Sequence, residues 1–453
     1  MSFVRHFLAC VFGSGAWVAI NGLWVELPLI VNDLPEGWYL PSYLTIIIQL
    51  ANIGPLFVTL MHKLRPKKLN EVAVIYAIIV LGIVASFLLA FFWKNTTWIG
   101  GQLHSTAFLV LTFFLSLVDC TSSVTFLPFM MQLDAKYITT YFIGEGLSGF
   151  IPGVLSLIQG VGMVRCVNTS QHENLTNLYN STEQPYIIET QYLPANFSVQ
   201  VFLFLLFVLM VFCLVAFVFL TRLSKKDNSN EVLLKSTINL NSCATVDNLD
   251  HSCDLQPHES VTAQHSYPQP DFEENNIKYS CGQYALIYTL TAWVNALTNG
   301  ILPSVQTYSC MPYGTLAYHL TAALGSMANP LACLIAMFIP CRSLLTLVLV
   351  SLVGTGFGAY NMTTAVMSPC PILHGTNWGV ALIVISWVLF IGLLSYVKVM
   401  IGVILRSQSH SALVYCGAVV QLGSMIGALV MFPLVSVYGF FKSSDFCTTK
   451  CPQ

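Results

Sequence analysis

From Val199 to Leu220 the sequence reads VQVFLFLLFVLMVFCLVAFVFL, and Thr221-Arg222-Leu223-Ser224-Lys225-Lys226 follows. The run holds no charged residue and is long enough, at 1.5 Å per helical residue, to cross a hydrocarbon core of ~30 Å. Its basic edge marks the side of the membrane on which it stops, because Lys and Arg accumulate in cytoplasmic loops. The polar stretch 224–280, rich in Asn, Ser, Asp, Gln and His with few aromatics, cannot bury enough apolar surface to fold. It is expected to be a disordered cytoplasmic linker.

Working outward, apolar runs recur on both sides of this linker. They predict eleven spans near 5–30, 40–61, 71–93, 105–130, 138–162, 198–221, 282–303, 314–340, 343–366, 378–405 and 411–438. The expected fold class is an all-α polytopic membrane protein, with an N-terminal six-helix bundle (1–223), the linker (224–280) and a C-terminal five-helix bundle (281–453). Whole-chain composition agrees. Of 453 residues, 55% are hydrophobic and 8% charged, against about 25% charged in ordinary soluble proteins. Mean hydropathy is +0.71. A net charge of -2 with no basic stripe excludes nucleic acid as a partner. The lipid bilayer is the partner that composition demands, and no obligate protein partner is evident.

With the N-terminus placed in the cytoplasm, 13 of the 18 Lys and Arg fall on inside segments. An odd number of spans then leaves the C-terminus outside. The N-x-[ST] acceptors at Asn95, Asn168, Asn174, Asn180, Asn196 and Asn361 all fall on segments assigned to the outside, so 164–197 reads as a glycosylated extracellular loop. Cys166, Cys310, Cys370, Cys447 and Cys451 lie on that oxidising side, and the disulfide candidates are Cys310, Cys370, Cys447 and Cys451, a tail cysteine reaching back to Cys370 or Cys310. No cysteine or histidine spacing points to a metal site.

Polar residues inside spans are expensive and therefore informative. Asn21 and Trp24 lie three apart in span one, with Glu26 beyond them. Asp119, Ser122 and Ser123 share a face of span four, with Phe126 one turn on. Asn295, Thr298 and Asn299 form one stripe of span seven, followed by Ser304, Gln306 and Tyr308. His319 lies in span eight and Gln421 and Ser424 in span eleven. Amides and hydroxyls beside aromatics suit a flat, hydrogen-bonding heteroaromatic solute better than a bare ion. The structural alternative is that Ser and Thr bond back to their own helices and that Trp24 belongs to an interfacial belt. Glu26 lies close enough to the interface to be either solvated or buried. Glu145 and Lys398, at similar depth toward the linker side, read as a mutual ion pair or gate; Lys398 could alternatively snorkel to the nearer surface. Together Glu26, Glu145 and Lys398 are the gating or proton-sensing candidates. Asp119 has no evident cationic partner, which leaves it free to hold a proton. No nucleophile elbow, nucleotide loop or zinc-protease motif is present, so no enzymatic activity is expected.

Several of these words carry a resemblance. Asn21-Gly-Leu-Trp-Val-Glu-Leu-Pro28, Leu34-Pro-Glu-Gly-Trp-Tyr-Leu-Pro-Ser-Tyr43, Val124-Thr-Phe-Leu-Pro-Phe129, Asn295-Ala-Leu-Thr-Asn-Gly300, Pro303-Ser-Val-Gln-Thr-Tyr-Ser-Cys310 and Ser395-Tyr-Val-Lys398 resemble the eukaryotic riboflavin transporters of solute carrier family 52. The resemblance spans both membrane halves and fails in the linker and the glycosylated loop. It implies a sodium-independent plasma-membrane carrier for riboflavin, with pH sensitivity in some members. The vitamin would then be the transported substrate, with no cofactor. It also implies that the segments around Asn21 and Thr298/Asn299 matter for substrate. The six-plus-five layout is similar to the major-facilitator type with one span missing, as in equilibrative nucleoside carriers. The alternative is a carrier or channel for another planar heteroaromatic solute such as a nucleoside.

Overall fold

The computed structural model describes residues 2–64, 70–131, 133, 135–161, 164–169, 187–192, 194–244, 279–408, 410–443 and 451. Among them ten helices are long and apolar enough to cross a membrane, and a bent pair supplies the eleventh span. That pair is α1 (Ser2–Ser14) and α2 (Val18–Ile30), which meet at 53°. The remaining N-terminal elements are α3 (Leu40–Ala51), α4 (Ile53–Leu64), α5 (Glu71–Phe92), the hairpin β1 (Thr97–Ile99) and β2 (Gln102–His104), α6 (Thr106–Met131), α7 (Ala135–Gln159), the antiparallel ladder β3 (Val164–Thr169) with β4 (Ile187–Tyr192), and α8 (Val199–Ala244). Here α3 and α4 form a single span interrupted at Asn52.

The second bundle starts at α9 (Cys281–Asn295), which passes through a π-helical segment (Ala296–Ile301) into α10 (Leu302–Ser304) and α11 (Gln306–Cys310). Then come α12 (Thr315–Phe338), α13 (Leu344–Val366), α14 (Asn377–Gln408) and α15 (His410–Phe432). Local chemistry explains the starts. Asn70 accepts from Ala73 N at 3.3 Å ahead of α5, and Ser280 with Gln283 forms a capping box for α9. The short turn at Ile339-Pro340-Cys341-Arg342 does separate two spans; Tyr396 Oη donates to Ile339 O at 2.8 Å and satisfies one carbonyl that α12 leaves open.

The backbone of α8 runs helical to Ala244, nearly six turns into the stretch expected to be disordered. Once a helix exists, each added residue costs little, and Glu231-Val-Leu-Leu-Lys235 favours extension. Residues 245–278 lie outside the described residues, as do Asn174, Asn180 and Cys447. Cys166 and Asn168 lie on β3.

Two ends of the bundle pair are distinguished below: the linker end, where α8 leaves its apolar run at Leu220 and α9 begins, and the sequon end, bearing 31–39, 93–105 and 194–198. Contacts between bundles involve α2, α3 and α7 on one side and α10, α12, α15 and the π segment on the other. Small residues permit the close approaches. A Cβ on Gly153 would stand 2.8 Å from Met327 Cγ, and one on Gly149 would stand 3.1 Å from Ser326 O. The glycines of 144–149 thus serve packing. Five hydrogen bonds between described residues cross from bundle to bundle: Trp24–Gln306, Ser42–Ser436, Thr45–Ser304, Ser156–His319 and Ser326–Gly149. They run from the sequon end to mid-depth. Toward the linker end Phe142, Ile335 and Phe338 are exposed. Among the described residues, the cross-bundle hydrogen bonds therefore gather between the sequon end and mid-depth.

Candidate functional site

The polar stripe of span seven owes its position to three glycines. A Cβ on Gly300 would lie 2.6 Å from Ala428 N, and one on Gly427 would lie 2.6 Å from Ala296 O. Gly423 is likewise pressed against the Ala292 carbonyl. Backbone-to-backbone contact along this seam brings α15 against the π segment and sets Ser424 beside Asn299. The π segment, a geometry frequent at functional sites, carries Thr298 and Asn299.

A continuous network results. Asn299 Nδ2 donates to Asn295 Oδ1 at 3.2 Å and to Ser424 Oγ at 3.0 Å, and Asn295 Nδ2 donates to Thr291 O at 2.8 Å. The single hydroxyl proton of Thr298 serves Val294 O at 2.9 Å or Asn299 Oδ1 at 3.3 Å. Lys398 Nζ donates to Thr298 Oγ1 at 3.1 Å. Asn295 is buried, whereas Thr298, Asn299 and Lys398 are half-buried at the rim. The stripe is thus one connected surface, with Asn295 behind Asn299 as its support. The back-bonding alternative also holds in part: Thr298 and Ser424 both donate to their own helices.

Asn21 and Trp24 are half-buried on α2, in the other bundle. Asn21 Nδ2 donates to Ser148 Oγ at 3.4 Å. Trp24 Nε1 donates across the seam to Gln306 Oε1 at 3.0 Å, so Trp24 is a cross-bundle contact and not only a belt residue. Gln421 and Ser123 are exposed.

Other expected site residues lie elsewhere, each for a local reason. Span one breaks at Ser14-Gly15-Ala16-Trp17, which frees backbone groups. Asp119 Oδ2 accepts from Ile20 N at 2.9 Å, and Ser122 Oγ donates to Ala16 O at 2.8 Å. Both side chains are fully buried and mend the break instead of lining the seam. Phe126 is also fully buried, stacked on Phe12 with centroids 4.3 Å apart, inside an aromatic cluster with Phe129 and Phe217. No ligand can stack there without unpacking the bundle.

The gating candidates also change. Glu26 is fully buried, and its Oε1 accepts from Gln159 Nε2 at 2.8 Å. Glu145 and Lys398 form no ion pair among the described residues; Lys398 bonds Thr298 instead, and Cys333 lies within electrostatic reach of both. Lys398 does not snorkel.

Asn361 lies inside α13 with no exposed surface, and its Oδ1 accepts from Ser386 Oγ at 2.7 Å. An acceptor for glycan must be reachable, so its motif is a chance match within a helix. Asn95 and Asn196 are exposed in irregular segments. Cys370 is bonded to Cys451, 81 residues on, with Cα atoms 5.6 Å apart. Cys310 is a buried free thiol and takes no part.

Ser326 and Thr45, which bond across the seam, and Ser148 and Gln159, which tie α7 to α2 within the first bundle, were not evident as such from sequence. Each is a small polar residue in an apolar run, and its partner lies over a hundred residues away. Among the described residues, no group of three or more His, Cys, Asp or Glu could hold a metal ion.

Comparison with known proteins follows the same outline. The family model described as solute carrier family 52, riboflavin transporter, matches residues 1–443. "Solute carrier family 52, riboflavin transporter, member 3-A" of Danio rerio is 58% identical over 99% of both chains. The Homo sapiens protein "solute carrier family 52, riboflavin transporter, member 3" is 53% identical over the full length of both. Among solved structures, a proton-dependent oligopeptide family transporter superposes with TM-score 0.54 at 13% identity, covering 95% of this chain and 92% of that one. A D-xylose–proton symporter gives 0.53 at 11% identity over 95% and 88%. These two likenesses are of fold alone. The glycine-packed stripe, the two-bundle seam and the full-length match converge on one assignment: the chain belongs to solute carrier family 52, the riboflavin transporter family.

Proposed function

We propose that the protein is a plasma-membrane carrier that moves riboflavin into the cell by alternating access of the seam between its two bundles. The observation that carries this is the seam itself. It is bonded toward the sequon end by Trp24–Gln306 and its neighbours, and its two halves carry the half-buried polar residues Asn21 and Trp24 on one side and Thr298 and Asn299 on the other. The isoalloxazine would lie along Trp24, with its pyrimidine edge toward Asn21 and Asn299. The ribityl hydroxyls would point to Ser123 or Gln421. Family membership supports this substrate. A neutral planar ligand held by stacking and hydrogen bonds needs no sodium counter-ion.

The sequon end is proposed to face the exterior. Exposed Asn95 and Asn196 and the bonded Cys370–Cys451 pair sit at that end, and disulfides persist in oxidising compartments. The N-terminus is then cytoplasmic, the C-terminus extracellular, and the bonded part of the seam lies toward the exterior. The test is saturable uptake of labelled riboflavin into cells and proteoliposomes. Trans-stimulation by unlabelled riboflavin, with no sodium or proton gradient, is the expected result. Non-saturable flux would instead indicate a channel, and stronger competition by nucleosides than by flavins would reassign the solute.

A further inference from the structure

Lys398 sits about two turns from Leu405, where α14 nears the linker end. A lysine so placed can run its stem to that surface and hydrate its ammonium at little cost. Its ammonium bonds Thr298 instead, which lies nearly five turns into its own span. The charge is thus directed away from the nearer water and toward the rim of the stripe. An ammonium has three donor protons, and one goes to Thr298. No carboxylate of a described residue lies within 4 Å of it, and Glu145, which shares with it an electrostatic reach to Cys333, is not paired with it.

The other donors of the rim are engaged. Both Nδ2 protons of Asn299 serve Asn295 and Ser424, the Ser424 hydroxyl serves Val420 O at 2.9 Å, and the Thr298 hydroxyl serves Val294 or Asn299. Lys398 is therefore the group bonded to this stripe that still has protons to give. We propose that Lys398 is a specificity-determining residue for the transported flavin, its ammonium bridging two adjacent acceptors on the dioxopyrimidine edge of the isoalloxazine.

This rests on the riboflavin reading above. Two acceptor pairs on that edge have suitable spacing: N1 with the C2 carbonyl, and the C4 carbonyl with N5. Replacing one nitrogen by carbon removes half of one pair and leaves the ring flat.

The experiment measures uptake of riboflavin, 1-deazariboflavin and 5-deazariboflavin by wild type, Lys398→Met, Lys398→Gln and Lys398→Arg, each normalised to surface protein. A charge-assisted bond to a buried acceptor sets the expected scale. Lys398→Met should raise the KM for riboflavin by about 10- to 100-fold. Wild type should prefer riboflavin over one deaza analogue by about tenfold, and Lys398→Met should abolish that preference. The analogue that loses its disadvantage identifies the pair. Lys398→Arg should retain part of the preference, and Lys398→Gln decides the outcome if the methionine variant fails to reach the surface. A gate paired with Glu145 predicts something else: lowered maximal rate for all three flavins, unchanged ratios, and the same phenotype in Glu145→Gln. That result overturns the proposal. Saturable wild-type uptake of riboflavin with no analogue preference overturns it as well, while wild type that moves no flavin at all defeats the riboflavin reading itself.

Discussion

The bond from Trp24 to Gln306 can be cut from either side with little change in shape. Trp24→Phe keeps an aromatic ring on α2 and removes the indole N–H; Gln306→Leu keeps the volume on α11 and removes the acceptor. The bond is 3.0 Å long, part-buried, and joins elements 282 residues apart across the seam. Its net worth is about 1 kcal/mol, as for a typical protein hydrogen bond. That corresponds to about a fivefold change in the ratio of conformers closed and open at the sequon end. A carrier about nine-tenths closed there would fall to about two-thirds closed. Trp98 on β1 and Trp378 at the start of α14 are both exposed at this end, one in each bundle. Spin labels carried there on unnatural amino acids report its opening by their distance distribution in substrate-free protein. Each single variant should raise the ratio of long to short distances by about fivefold, and the double variant should go little further, because the second change removes a partner already lost. Shifts that multiply in the double variant, or distributions that stay at the wild-type mean, would refute the assignment of this bond as part of the closure.

Other outcomes follow from the same geometry. Asp119→Asn keeps an acceptor for Ile20 N–H and should melt near wild type in detergent, whereas Asp119→Leu strands that buried donor and should lose about 1–3 kcal/mol; equal damage from both would mean the carboxylate charge itself matters. Asn95→Gln and Asn196→Gln should each remove one glycan step on a deglycosylation gel, and Asn361→Gln should remove none. Gly427→Leu forces a side chain where even a Cβ meets Ala296 O at 2.6 Å, so the protein should fail to reach the surface; normal surface expression would show the α9–α15 seam to be loose. Alkylation under non-reducing conditions should gain one reactive thiol in Cys451→Ser, that of Cys370, while Cys310→Ser should leave the bridge intact.

The spans were legible because a bilayer accepts only long apolar helices, and their lengths follow from the thickness to be crossed. The stripe of Asn295, Thr298 and Asn299 was legible because helical spacing puts those residues on one face whatever surrounds them. Residues whose role depends on a distant partner were not. Asp119 looked like a proton carrier because its partner is a backbone N–H, 99 positions away, freed by a break in another helix. The Ser14-Gly15 pair was the available sign of that break. Phe126 could not be told apart from a ligand-stacking ring without knowing that Phe12 occupies its face. Glu145 and Lys398 read at similar depth but do not pair, and hydropathy reports depth alone. The Asn361 motif carries a local pattern with no information about burial.

The closure between the bundles has a kinetic consequence. Its cross-links are individually weak, mostly between hydroxyls, carbonyls and amides, at Ser42–Ser436, Thr45–Ser304, Ser156–His319 and Trp24–Gln306. They lie at successive depths along the seam. Such a closure parts stepwise, one rung at a time, with each exposed hydroxyl taken up by incoming water before the next rung yields. The barrier at any instant is that of one rung and not of the whole ladder. A single long-lived salt bridge of the same total strength would make opening an all-or-none event and slow the cycle. A row of small hydroxyl contacts instead spreads the closure over several weak steps, so that losing one shifts the balance of conformers without abolishing the closure.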